Sequence, residues 1–547
     1  MKIATLKVLL FLLLTLGHAY SFSQANLILY NGKIFTSDKQ QPWAEAIAIK
    51  GERILAVGKN NAILKLKAGT TKLIDLEGRV VTPGFNDAHS HTGPNFPQRR
   101  FSVSPDPAGP TPWEAIKDSI IKIAKEVEPG TMISANINPD LLRDTRARKR
   151  SLDSLTPAHP VILSSWTGHG RIANSAALKL IGYTENTKML GGRLDLSDQQ
   201  ELSGLLEEYA GFQVSVALSK KLTIGQIVSD LRSDYKMALA LGITSDQVMC
   251  TGMQPAIFQQ VFAENDFGPR VRLIAFPFTN EKELMLQDWK GSFHSLNNKN
   301  YVSGVKLILD GTPIERLAST RTAYTDEPGN YGTLNFSKDE IKAYVQFCLA
   351  NKQQVIVHAV GDSAITSLIA AMRSLHPDEF WKTKRVRIEH AELAVMKEDD
   401  LKMLHDLGII IVQNPLHLAL PEIMVKRYGG RTKYMQAMRS LLDHNIMLAI
   451  GSDGPINPFL NLMMATFHPD NPKEAISLPE ALTAYTMGAA YAEFKENEKG
   501  SLVKGKFADL AVLSQDIFTI NPNQLPATES ILTIVGGQIL HDKKVLK

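Results

Sequence analysis

Cysteine is nearly absent. The 547 residues contain two, Cys250 and Cys348, each inside an apolar segment. One conceivable pair makes no disulfide framework, so buried free thiols are expected. A strong charge of either sign is also missing: 60 basic and 56 acidic residues leave a net charge of +4. That balance gives no basis for nucleic acid or an anionic membrane as a partner. A membrane-spanning segment is lacking too. The apolar run from Val8 to Leu16 falls far short of the roughly 20 residues needed to cross a bilayer. No cysteine follows it to carry a lipid.

What is present reads as an ordinary globular enzyme, 44% hydrophobic and 21% charged, long enough for one large domain and a smaller companion. Residues 1–23 have the layout of a secretory leader. Lys2 and Lys7 form a basic start, Val8 to Leu16 an apolar centre, and Ala19-Tyr-Ser21 and Ser21-Phe-Ser23 offer small-x-small cleavage sites. The expectation is a periplasmic or secreted protein with no stable membrane anchor. The composition is compatible with a homo-oligomer.

From Asn26 to Asp75 the pattern is short strands and turns: Leu27–Tyr30, Lys33–Phe35, Ala46–Lys50, Ile54–Val57 and Lys72–Asp75. The far end repeats the flavour, with Ala508–Leu513 and Ile531–Leu540. Tyr30-Asn-Gly-Lys-Ile and Val535-Gly-Gly-Gln-Ile read as similar hairpin units at opposite ends of the chain. One small β-sandwich built from both termini, residues 24–79 and 501–547, accounts for this. The middle alternates strands with helices, which implies a parallel sheet covered by helices. Strands are expected at 80–86, 131–137, 160–166, 243–249, 271–278, 302–310, 354–359, 385–390, 408–413 and 446–452. That is two more than a (β/α)8 barrel needs, so the pair at 131–166 is assigned to an insertion over the barrel mouth. The expected fold is α/β: a TIM-like (β/α)8 barrel over residues 80–500, inserted at about 100–220, beside the sandwich.

Chemistry concentrates at strand ends. Arg79-Val-Val-Thr-Pro-Gly-Phe-Asn-Asp-Ala-His-Ser-His91 delivers His89 and His91 to one face, because side chains two apart on a strand point the same way. Lys306 lies in Gly304-Val-Lys-Leu-Ile-Leu-Asp-Gly311. His358 ends Val355-Ile-Val-His, His390 ends Val386-Arg-Ile-Glu-His, and Asp453 follows Leu448-Ala-Ile-Gly-Ser. Singly, each has a structural explanation. Together, at the C-terminal ends of barrel strands, they converge on one mouth and form an N/O set suited to zinc or a similar divalent ion. The other ten histidines lack this strand-end context.

Pro83-Gly-Phe-Asn-Asp-Ala-His-Ser-His91 resembles the signature of the amidohydrolase superfamily. The chain is similar to its YtcJ-like branch, amidohydrolase family 3, which includes N-substituted formamide deformylases. The resemblance runs from about Asn26 to the C-terminus. It takes in Leu152-Asp153, Pro160-Val161, Gly168-His169, Asn174-Ser-Ala-Ala-Leu178, Gly242-Ile-Thr-Ser245 and Val305-Lys-Leu-Ile-Leu-Asp-Gly311. It continues through His358-Ala-Val-Gly-Asp362, Arg387-Ile-Glu-His-Ala391, Gly451-Ser-Asp-Gly-Pro455, Thr486-Met-Gly-Ala-Ala490 and Gly500–Asp509. It implies His89, His91, Lys306, His358, His390 and Asp453 as metal ligands for one or two divalent ions such as zinc, with Lys306 carboxylated by CO2 into a bridging carbamate. A plain lysine reaching Asp310 or Glu389 beside a single metal is the alternative. The implied activity is hydrolysis of a C–N bond in a small amide, formamide or cyclic amide. Asp453 is then the proton acceptor, and His390 or His169 the stabiliser of the oxyanion. Asn174 and Arg321 are candidates for substrate contact. The chain departs from the family's pattern at Thr312–Thr320, an extra stretch before Arg321-Thr-Ala323, and at Asn136–Asp140. A metal-dependent isomerase or decarboxylase on this scaffold, or a non-catalytic binding protein, stays open.

The leader generates a first prediction. N-terminal sequencing of the exported protein should start after Ser21 or Ser23; a chain beginning at Met1 would refute it.

Overall fold

The computed structural model describes residues 24–102 and 109–546, so the leader at 1–23 lies outside the described residues. Eight parallel strands form the central sheet: β1 (Phe85–Ser90), β2 (Ile243–Met249), β3 (Arg270–Ala275), β4 (Tyr301–Ile308), β5 (Val355–Ala359), β6 (Arg387–His390), β7 (Ile410–Gln413) and β8 (Met447–Ile450). Each pairs with the next in chain order, as expected for a (β/α)8 barrel. Lys306 falls on the fourth strand and Asp453 follows the eighth, as the sequence implied. Strands buried on both faces are apolar nearly throughout; the polar residues on them therefore mark sites of chemistry.

β8 meets β1 edge to edge, and this seam brings the ends of the chain of strands together. Asp453 N–H donates to the His89 carbonyl at 2.8 Å, and Ser452 N–H to Asp87 Oδ1 at 2.8 Å. Gly451 leaves no room for a side chain there: a Cβ would stand 2.4 Å from His89 N.

The termini form two facing sheets. One has Arg53–Gly58, Ala46–Lys50, Leu27–Tyr30 and Lys72–Asp75; the other has Gln538–Asp542, Ser530–Val535, Leu510–Leu513, Val80–Pro83, Lys33–Phe35 and Trp43–Ala44. Leu29, Ile34, Ile47, Val81, Leu510 and Ile534 are among the buried residues of their shared core. Two details differ from the sequence reading. Val535-Gly-Gly-Gln-Ile is a hairpin, but Asn31-Gly32 is a crossing between sheets. Leu27–Tyr30 already has a partner on each edge, so Lys33–Phe35 must pair elsewhere. Val80–Pro83 likewise pairs within the sandwich, and the chain enters the barrel at Gly84.

Between β1 and β2 the insertion builds a six-stranded sheet from Arg99–Ser102, Ile133–Ile137, Val161–Ser165, Gly170–Ala173, Leu202–Glu208 and Gly192–Leu196. Before β8 the chain forms the 3-10 turn Gly429–Tyr434 and a short helix, Met438–Asp443, rather than one continuous helix. Gln436 between them has φ +44° and donates its backbone N–H to Glu392. Cys250 and Cys348 are buried and free. No helix among the described residues is long and apolar enough to cross a membrane.

The seam can be tested with Gly451→Ala. Crowding of this kind costs about 1–3 kcal/mol. Thermal unfolding in EDTA should show a lower Tm than wild type, and an unchanged Tm would mean that the strands part there without cost.

Candidate metal centre

The strand-end residues meet at the C-terminal mouth of the barrel, with Asp453 as their hub. Its Oδ1 lies 3.4 Å from His89 Nε2 and 3.1 Å from His91 Nε2. Its Oδ2 lies 3.4 Å from His417 Nε2 and 3.7 Å from His390 Nδ1. The His390 ring is 4.9 Å from that of His89 and 4.4 Å from that of His358. Lys306 is buried on β4, close enough for its charge to act on His89, His358 and His390. Two sets, His89–His91–Asp453 and His390–His417–Asp453, are compact enough to hold an ion.

The backbone is forced to make this convergence. His390 has φ +68° and Asp453 φ +52°, a left-handed conformation that few non-glycine residues adopt. At β6 it ends the regular alternation, so that Glu389 and His390, neighbours in sequence, both serve the centre. Such outliers gather at functional sites, where the surroundings hold them in place.

The donor set fits a divalent cation. Glu389 Oε2 lies 2.6 Å from His89 Nδ1, and its other oxygen pairs with Arg387 at 2.5 Å. Burial opposes ionisation of Glu389, but Arg387 and His89 hold its carboxyl well below the usual range. The His89 Nδ1–H therefore donates to a carboxylate, which leaves Nε2 as the lone-pair donor. That Nε2 is buried with no hydrogen-bond partner among the described residues, and so is His358 Nε2. His390 is set in the same way. Asn414 Nδ2 donates to the Gly451 carbonyl at 2.9 Å, so its Oδ1 accepts from His390 Nδ1 at 2.8 Å. Burial, reinforced by the Lys306 charge, lowers His89 to about 4. Burial also takes His358 and His390 well below the usual histidine value. Burial disfavours the charge on Asp453, but the surrounding histidines keep it anionic. Neutral imidazoles around a carboxylate are the forms that bind metal.

His417 is the residue that sequence reasoning missed. It sits in the 3-10 turn Pro415–Ala419, past the end of β7, so it does belong to the strand-end set. Its Nδ1 is 3.0 Å from Glu392 Oε1. Against the effect of burial, Asp453 and Glu392 raise its pKa to about 10, so a cation bound there would compete with a proton. The available signal was Val412-Gln-Asn-Pro-Leu-His417, a buried strand running into polar residues.

The remaining candidates separate. His169, from the insertion, is 5.1 Å ring to ring from His358, and Glu208 holds its Nδ1 at 3.0 Å. Burial works against its protonation, yet Glu208 raises its pKa overall. Asn174 is not available to a substrate. It is fully buried, accepts from Val161 N–H and Ala177 N–H, and donates to the His159 carbonyl; it caps the helix Ser175–Ile181. Arg321 is likewise occupied, pairing with Asp362 at 2.7 Å and Asp400 at 3.4 Å, so it pins its loop to the helices behind β5 and β6. The extra stretch Thr312–Thr320 docks on the insertion: Glu315 accepts from Ser165, Thr167 and Thr312.

Comparison with known proteins agrees with this geometry. LONG AFTER FAR-RED 3 of Arabidopsis thaliana is 29% identical, over 94% of this chain and 92% of its own length. N-substituted formamide deformylase of Arthrobacter pascens is 25% identical, over 95% of this chain and 98% of its own. An uncharacterized metal-dependent hydrolase from Pyrococcus horikoshii OT3 superposes with a TM-score of 0.69 at 20% identity, over 91% of this chain and 99% of that one. The model of the Amidohydrolase family matches residues 72–541, through sandwich and barrel alike, and this chain belongs to that family.

Proposed function

We propose that this chain is an exported metal-dependent hydrolase that cleaves a non-peptide C–N bond in a small amide, formamide or cyclic amide. The observation that carries the reading is the Asp453 carboxylate, within 3.1–3.4 Å of the Nε2 atoms of His89, His91 and His417. The formamide deformylase among the relatives supports the bond type, and the leader supports export. His89, His91, His358, His390, His417, Asp453 and Lys306 would hold one or two divalent ions, zinc by donor type. Such an ion supplies a Lewis acid that polarises a carbonyl and makes water acidic enough to ionise near neutrality.

The chain's own residues do the rest. Asp453, ionised and partly open to the mouth, takes a proton from water and passes it to the leaving amine. His169, backed by Glu208, offers a hydrogen-bond donor to a developing oxyanion. Lys306 is buried, and that burial brings its pKa to about 8, so a useful fraction of neutral amine exists at neutral pH. The alternative partners for a plain Lys306 are engaged. Asp310 accepts N–H donors from Ser319, Val360 and Gly361, and Glu389 is divided between Arg387 and His89. In the proposed modification the Lys306 nitrogen bonds to the carbon of CO2, one C–O π bond becomes the carboxylate, and the nitrogen releases a proton. The two oxygens of the carbamate would suit two cations.

Two measurements test this reading. Asp453→Asn should keep metal by elemental analysis but lose about 10²-fold or more in kcat on the best substrate of an amide and formamide panel; normal turnover would move the base elsewhere. For Lys306, wild type should bind two metal ions per chain with bicarbonate present, and Lys306→Ala should lose at least one. If wild type binds a single ion with or without bicarbonate, and the alanine variant keeps it with full activity, the bridging carbamate is wrong.

A further inference from the structure

One face of the insertion sheet is apolar; the other combines polar residues with a second apolar cluster that includes Ile162, Ala173 and Leu206. Ile133, Ala135, Ile137, Leu163 and Ile172 belong to a buried core on one side. The residues between them face the other way. Register sets Asn136 opposite Ser164, and Ser164 opposite Arg171; two residues back, Ser134 stands opposite Arg100. The helix Tyr209–Ser219 contributes Ser215 and Leu218 to the same side, where a cavity of about 270 Å³ is lined by these polar side chains. The cavity is linked to the metal centre through His169, 5.1 Å ring to ring from His358. Gly168, beside His169, lines the cavity, as do Pro94 and Phe96, shortly after His91.

Two atoms on this wall lack partners. Arg171 Nε and Ser134 Oγ are buried, with no hydrogen-bond partner among the described residues. The Arg171 guanidinium donates to Ser215 Oγ at 2.9 Å, but no carboxylate pairs with it among the described residues. Burial lowers its pKa only to about 10, so it stays cationic. Arg270, Arg387 and Arg427 are matched by the carboxylates of Asp509, Glu389 and Asp326; Arg272, also buried, is held instead by neutral oxygens of Ser303, Gln247 and Gln354, whereas Arg171 lines a cavity. A buried charge with no counter-charge is costly, and here an open cavity adjoins it.

We propose that this cavity is the subsite for an oxyanion carried by the substrate, with Arg171 as its principal cation, Ser134 as a hydroxyl donor and Arg100 adding charge at the rim. The proposal rests on the hydrolase reading for the remainder of the substrate. It narrows the substrate class to amides bearing a carboxylate or phosphonate beyond the scissile bond. The planar guanidinium fork suits either group.

The test is binding of N-acetylglycine, its phosphonate analogue and neutral N-acetylglycinamide to the zinc-loaded protein by calorimetry, with kcat/KM for the matching N-formyl compounds. Wild type should bind an anion more tightly than the carboxamide, and comparing the two anions identifies the group. Arg171→Met should reduce that preference about 10- to 100-fold. Arg171→Lys should recover part of it, and Ser134→Ala, which removes only a hydroxyl, should weaken it a few-fold. If Arg171→Met fails to fold by circular dichroism, the lysine and alanine variants decide. Equal binding of anions and carboxamide to wild type would overturn the subsite, as would variants with unchanged preference. Hydrolysis of neutral amides without anion preference would sink the subsite and leave the hydrolase. Anion binding that depends on Arg171, with no hydrolysis of any amide, would support the subsite and sink the hydrolase.

Discussion

The centre depends on one buried carboxylate. Glu389 joins Arg387 on one side to His89 on the other, while Arg387 also donates to Gln247 at 2.6 Å and to the Ala88 carbonyl. The chain of contacts ties β6 to β1 and β2 through the barrel interior. A buried ion pair adds little stability by itself, but removing one partner leaves an unmatched charge. Its value here is orientation. Because Glu389 stays ionised, His89 has a single useful tautomer, with its bare nitrogen turned to the cavity. The same device recurs at His390 through Asn414, whereas at His417 the carboxylates of Asp453 and Glu392 favour the proton instead.

Barrel closure supplies the second constraint. Asp453 reaches the histidines because β8 lies against β1 with no side chain between them at Gly451. The hydrogen bond from Asp453 N–H to His89 carbonyl joins the first ligand pair to the last ligand directly. Left-handed backbone at His390 and Asp453 is unfavourable locally, and the surrounding pairing over-determines it. Buried carboxylates behind the mouth complete the frame. Asp87 holds Ser452 N–H and Tyr485, and Asp246 holds Ser90, Thr92 and Tyr235.

The insertion makes the barrel mouth into a specific site. Its sheet brings His169 beside His358, docks the Thr312–Thr320 stretch through Glu315, and places Arg171 on the wall of a cavity that Gly168, next to His169, also lines. The barrel thus provides the reactive groups and the insertion the walls around them, a division that lets one scaffold serve many substrates.

The alternation of strands and helices, and the placing of His89, His91, Lys306, His358, His390 and Asp453 at strand ends, were legible from residue order. Both are local: side-chain period and apolar runs set strand type and face. Sandwich and barrel followed from the same patterns at the two ends and the middle. Tertiary structure alone decided which polar residues are free to act. Asn174 looked available until its amide proved to be bonded at a helix cap, and Arg321 until Asp362 and Asp400 took its guanidinium. His417 was hidden because a 3-10 turn, not a strand, carries it to Asp453. Asn31-Gly32 has hairpin chemistry, yet it crosses between sheets because both edges of Leu27–Tyr30 are already paired. In each case the deciding partner lies far away in sequence, so the outcome depends on which groups packing brings together.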